Sequence, residues 1–338
     1  MLLSAAPFIV NAQFFGGQIK ANNRGIISGL NCASATNNGT LTEGIPANGV
    51  SSIVPYSGGN GGSYNGQIVS STGVTGLTAT LAAGTFANGA GGLTYSITGT
   101  PSAAGTANFA LNLGGQSCTL NLSVVTLISQ YPAGSVFCNG PTAIVEITNP
   151  LTGKTWMDRN LGASRAATSS NDANAYGDLY QWGRSSDGHQ CRNSATTAIL
   201  SSTDQPGNVN FILTTGGAGD WRSPQNNSLW DVLSGINNPC PLGYRIPAKV
   251  EYDSEKATWS SNSVAGAFGS LLKLTAAGGR LSAVTSNGNI VSVGLGGVYW
   301  TSTINGTSSF NLQFGTLDVG LFNIVTRADG NSIRCIKD

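Results

Sequence analysis

From Gly44 to Val145 the chain carries no Asp, Glu, Lys, Arg or His. Within this uncharged stretch the apolar residues recur at every second position. "LTYSIT" sets Leu93, Tyr95 and Ile97 on one face, and "NFALNL" does the same with Phe109, Leu111 and Leu113. "CTLNLSV" repeats the pattern with Cys118, Leu120, Leu122 and Val124. A strand with one buried face gives this period, because successive side chains point to opposite sides of a sheet. Helical spacing is absent there. Between the runs stand "NGAGG", "TGTPSAAG" and "LGGQ", whose glycines and proline suit chain reversals. Short alternating strands at near-regular spacing predict an antiparallel β-sandwich.

Composition limits what such a chain can bind. Charged residues are 9% of the 338, the formal net charge is +1, and no basic run occurs. Nucleic acid and electrostatic membrane association are therefore not expected as partners. No stretch approaches the length of a membrane helix. The start, "MLLSAAPFIVNAQ", holds an apolar run from Leu2 to Val10 and a small-x-small site at Val10-Asn11-Ala12. Residues 1–12 are expected to be the remnant of a signal peptide, without its basic segment, and the mature chain to begin near Gln13. The even set Cys32, Cys118, Cys138, Cys191, Cys240 and Cys335 agrees with export and disulfides. Spacing alone leaves their connectivity open. With no CxxC and a single histidine, His189, a cysteine–histidine zinc site is not expected.

The remainder differs in kind. Charges return at Glu146, and all six tryptophans lie between Trp156 and Trp300. A border at "ISQYPAG", 128–134, divides a first domain, 13–130, from a second, 131–338. One helix is expected in "PAKVEYDSEKATWSS", entered at Pro247, with Val250, Tyr252, Ala257 and Trp259 as its apolar contacts. The rest reads as short strands and long ordered loops. In "NPCPLGYRIP", 238–247, a proline flanks Cys240 on each side, which restricts the backbone that carries the thiol.

"TWMDRNLGA" (155–163), "YGDLYQWGR" (176–184), "NPCPLGYRIP" and the terminal "SIRCIKD" (332–338) occur in that order. Together they resemble the Fibrobacter succinogenes major paralogous domain of exported Bacteroidetes-type proteins, over about residues 135–338. "YRIP", "YWTST" (299–303) and "IRC" fit the outline of related domains with a C-type-lectin-like fold. The first half resembles a bacterial Ig-like module. The fold class implied is mainly β: an N-terminal Ig-like sandwich followed by a C-type-lectin-like α+β domain with few helices. The resemblance implies that Cys240 pairs with Cys335, closing the second domain. By location Cys32 then pairs with Cys118, and Cys138 with Cys191.

The candidate chemistries are weak as catalytic sites. His189 in "SSDGHQC" lies near Ser186 and Asp187, but adjacency in a loop does not make a relay. Asp158, Asp172, Asp178, Asp187, Glu251 and Glu255 include no pair marked out for glycoside hydrolysis. The cysteine chemistry of the formylglycine-generating enzymes, which share the broad fold, lacks a close cysteine pair here. Calcium wants six to eight oxygens, and the calcium motifs of sugar-binding lectins are missing. "DQPGN" (204–208) is a partial echo, and 260–334 holds only Asp318 and Asp329 as acids. No cofactor is expected, with calcium as the lesser alternative. A metal-free ligand site is instead expected at Trp300, Asn311, Gln313 and Arg327, where the indole would stack on a sugar and the amides bond its hydroxyls. Trp300 in the core is the competing placement. Asp158 with Arg159, and Asp178 with Arg184, are expected as polar anchors of the scaffold.

The function expected is a secreted or cell-surface binding and adhesion protein, not an enzyme, whose second domain recognises carbohydrate or another surface glycan. The alternative is a structural subunit that self-assembles through its uncharged half, where strand edges lack the charges that discourage pairing.

Overall fold

The computed structural model describes residues 24–215, 219–231, 235–316 and 322–338. The expected signal remnant and Gln13 lie outside the described residues, as does Asp318. The chain is mainly β, with 38% strand against 9% helix, in several antiparallel sheets. It divides into two compact units, and the described part of the first comprises 24–40, Ala47–Gly99 and Thr106–Ser123. The second comprises Leu41–Pro46, Thr100–Gly105 and Val124–Asp338. The segment 128–134 therefore lies just inside the second unit. No helix among the described residues is long and apolar enough to cross a membrane.

In the first unit one sheet runs in the order Gly29–Leu30, Val50–Asn60, Asn88–Gly99, Leu77–Leu81, Gln67–Ser70. A second sheet sets Gln116–Val125 beside Gly105–Leu113. Every long strand alternates as its sequence predicts. Leu93, Tyr95 and Ile97 are buried, as are Phe109, Leu111, Leu113, Leu120, Leu122 and Val124. Fully burying a side chain of this size contributes about 1.5–3 kcal/mol. The disulfide Cys32–Cys118 spans 86 residues and ties the 3-10 turn after Gly29–Leu30 to the strand Gln116–Val125.

"NGAGG" departs from expectation. Residues 88–92 open the strand Asn88–Gly99 with a bulge between Gly89 and Gly91, and no chain reversal occurs there. A side chain at Gly91 would meet the ring of Tyr56, whose hydroxyl accepts a bond from Ala87 N at 2.6 Å. The glycines admit that close approach.

In the second unit one sheet runs Glu146–Thr148, Thr155–Met157, Ile336–Lys337, Tyr244–Arg245, all antiparallel. Ile336 stands in register with both Trp156 and Arg245. Three motifs far apart in sequence thus meet side by side. A second sheet joins Tyr180–Gln181, Gly330–Asn331, Gly279–Arg280 and Ile290–Val291, and a third joins Gly296–Asn305, Ser308–Gly315 and Phe322–Val325. The disulfides Cys138–Cys191 and Cys240–Cys335 are formed. Cys240 is 2% exposed and Cys335 0%, inside an aromatic cluster with Trp182, Trp221, Trp230 and Trp300. The prolines beside Cys240 therefore restrict the backbone of a buried bridge.

The helix over Lys249–Lys256, α1, starts two residues after Pro247, and a second short helix, Val264–Gly269, follows it. The buried face of α1 is not the apolar one expected. Tyr252 is buried with Glu251 and Glu255, whereas Val250 is 65% exposed and Ala257 is exposed. Trp259 is half-buried against the core. The glutamates turn inward because partners wait there. Glu251 takes both terminal nitrogens of Arg245 and the N–H of Ala248, while Glu255 accepts from Asn149 Nδ2 at 2.8 Å.

Candidate functional site

The expected ligand residues separate. Trp300 is 0% exposed and its Nε1 donates to the Tyr180 carbonyl at 2.6 Å. It cannot stack on a sugar, contrary to expectation. Arg327 is also fully buried: its guanidinium lies 4.4 Å above the Trp182 ring, approaches Asp220 at 3.6 Å and bonds Asn227 Oδ1. It is a core cation and no ligand contact. Packing decided both: Trp300 lies in the strand Gly296–Asn305, buried on either face around it, and Arg327 lies in the turn after Phe322–Val325, against the Trp182 ring.

Asn311 and Gln313 do meet at a cleft of about 350 Å³, whose walls include Val298, Phe314, Leu295 and Asn331. Gln313 is exposed. Asn311 is 1% exposed and Asn331 3%, and neither Asn311 Oδ1 nor Asn331 Nδ2 has a hydrogen-bond partner among the described residues. An unsatisfied buried polar atom costs about 1–3 kcal/mol, so both amides gain from a further polar partner. Asp329 and Arg280 also line the cleft, but both are engaged. Asp329 Oδ1 accepts from Ser282 N and Oγ. Arg280 bonds the carbonyls of Gly288, Cys191 and Ser194 and lies 4.2 Å from the Phe211 ring, and burial lowers its pKa to about 10. It stays charged at neutral pH. Asn331 carries no sequence signal for this role beyond its place directly before the last motif.

A second, more polar cleft of about 440 Å³ has Asp178, Gly162, Gly177 and Arg192 among its lining. Its rim carries the exposed residues Asn139, Ser164, Asn174 and Asn193. Two of the motifs converge here. Gly162, φ +80°, lies directly against the Asp178 carboxyl, and an added Cβ would sit 2.2 Å from its Cγ. Asp172 braces the rim by capping the turn Ala173–Ala175 and pairing with Arg165.

Asp178 was expected to pair with Arg184. Instead Arg184 forms its ion pair with Asp187 at 2.7 Å, three residues on, and Asp178 accepts no side-chain or backbone hydrogen bond among the described residues. Burial pushes its pKa up to about 7, with Arg192 pulling it partly back. Asp158 and Arg159 do form a half-buried pair at 2.6 Å.

In the unfolded chain Asp178 titrates near the ordinary carboxylate value of about 3.9. Between that pH and about 7 the native state binds more protons. The stability from this group is present at low pH and falls as pH rises across the window. Asp178→Asn is therefore expected to melt higher than the wild type at pH 8 and alongside it at pH 4. Thermal melts at the two pH values check this, and a variant less stable at pH 8 contradicts it. The opposite trend of His189, lost as pH falls from about 6.5 toward 4, is common to both proteins and cancels.

His189 itself is fully buried. Its Nδ1 lies 2.6 Å from Asp187 Oδ1, and its Nε2 accepts from Gln181 N at 3.0 Å. The nitrogen that a base would need is thus occupied, and Ser186 Oγ meets the Tyr180 hydroxyl instead. The group braces the loop that leads to Cys191. Among the described residues no three metal-ligating side chains cluster. No protein-family model, curated protein or solved structure matches the chain.

Proposed function

We propose that the chain is an exported binding protein whose second unit, lectin-like in plan, takes a neutral polyhydroxyl ligand such as a carbohydrate, while the first, Ig-like, unit serves as stalk. The observation that carries this is one cleft lined by three amide residues, Asn311, Gln313 and Asn331, two of which hold a side-chain atom without a hydrogen-bond partner among the described residues. A sugar hydroxyl both donates and accepts, as an amide does, so hydroxyls suit a wall of amides. Val298, Leu295 and Phe314 supply the apolar wall that the C–H face of a sugar ring prefers. Three disulfides support an oxidising, extracellular location.

A glycan and polysaccharide screen on the full chain, with and without a calcium chelator, tests the reading. Binding should survive chelation and fall at least tenfold in Asn331→Ala and Gln313→Ala. No binding by a well-folded chain would remove the proposal, and binding abolished by the chelator would restore a calcium site.

One observation favours the structural-subunit reading. The edge strand Gln67–Ser70 carries no charge, and Ile68 is 75% exposed. Such an edge accepts a further strand. Light scattering on the same sample distinguishes the two: concentration-dependent growth supports assembly, a strict monomer the stalk.

A further inference from the structure

Asp178 and Arg192 stand in one cleft with opposite charges, yet the Arg192 nitrogens bond backbone carbonyls and act on the Asp178 carboxylate only through their field. We propose that this cleft binds a small zwitterion, a free α-amino acid or its close relative, with the ligand ammonium on Asp178 and the ligand carboxylate on Arg192.

Asp178 is 4% exposed and faces the cleft without a hydrogen-bond donor. An ionised carboxylate left so is costly to bury, and an ammonium brings three N–H donors to it. Arg192 donates from Nη1 to the Gly177 carbonyl and from Nη2 to the Ala277 carbonyl, and its guanidinium lies 5.5 Å from the Tyr176 ring centroid. A guanidinium has five N–H groups, so donors remain for a ligand carboxylate. A cation alone would leave the cleft net positive, and an anion alone net negative. A zwitterion bridges the two charges and preserves neutrality. The volume, about 440 Å³, lies at the small end of ligand sites. The exposed amides of Asn139, Asn174 and Asn193 ring the mouth, where a ligand side chain would emerge.

Arg192 is the charged group whose field acts on Asp178, and Tyr180 beside it stays neutral because burial raises its pKa well above the usual value. Ligand binding needs the ionised carboxylate, so affinity should rise with pH through about 7.

The test is calorimetric titration of the full chain with a panel of free α-amino acids, methylamine, acetate and glucose at pH 6 and pH 8. At least one amino acid is expected to bind tenfold or more tighter than methylamine or acetate, and about tenfold tighter at pH 8 than at pH 6. Asp178→Asn, nearly isosteric, should abolish that binding while thermal melting confirms the fold, and Arg192→Gln should weaken it. Asn331→Ala should leave it unchanged, which keeps this site separate from the carbohydrate cleft. Binding retained in Asp178→Asn, methylamine binding as tightly as any amino acid, glucose binding in preference, or no amino acid binding at all would each overturn the proposal.

Discussion

Replacing Cys240 and Cys335 together by serine is expected to lower the unfolding free energy by about 4 kcal/mol. The bridge closes a loop with a sequence separation of 95, and the chain-entropy argument gives about 4–5 kcal/mol for loops of that length. Packing adds to the effect. Both cysteines are buried among Tyr244, Ile333 and four tryptophans, so two hydroxyls would enter an apolar cluster. The bridge also fixes Ile336 between Thr155–Met157 and Tyr244–Arg245, where the short strands share few hydrogen bonds. Urea denaturation of the double variant checks the value. A loss under about 1 kcal/mol would mean that strand pairing alone holds the terminus.

Asn160→Ala is expected to cost a similar amount, about 3–5 kcal/mol, without touching a disulfide. Arg334 is 1% exposed, and among the described residues no carboxylate is paired with it. Its guanidinium donates from Nε and Nη2 to Asn160 Oδ1, and from Nη1 to the carbonyls of Leu272 and Met157. Asn160 Nδ2 in turn reaches the Tyr176 carbonyl, Thr275 Oγ1 and the Tyr299 hydroxyl. Truncation at 160 leaves a buried cation half satisfied, a change that costs several kcal/mol in comparable sites. It also releases the backbone two residues before Asp178, so zwitterion binding should weaken with stability. Equilibrium denaturation measures the first effect. An Asn160→Ala protein within about 1 kcal/mol of wild type would show that water replaces the amide.

The sheet faces of the first unit were legible because period two is a property of one strand against one boundary between core and water. Leu93, Tyr95 and Ile97 needed no knowledge of a partner. The glycine run at 88–92 was misread as a turn, because its cause is the ring of Tyr56 on another strand. The candidate site followed the same division. Asn311 and Gln313 line one cleft, whereas Trp300 and Arg327 lie in the core. Their burial depends on segments 100 residues or more away, such as Tyr180 for Trp300 and Asn227 for Arg327.

Charge pairing was the least legible. Asp178 and Arg184 lie six residues apart in one motif, but Arg184 takes Asp187 and the acid is left to the cleft beside Gly162. By itself the sequence determined the β class, the two contrasting halves and the cysteine set, because local periodicity and composition act residue by residue. Only the tertiary structure decided which polar groups were left without partners. A buried acid or amide is satisfied by whatever the fold brings within 3 Å, and that follows from contacts between distant segments.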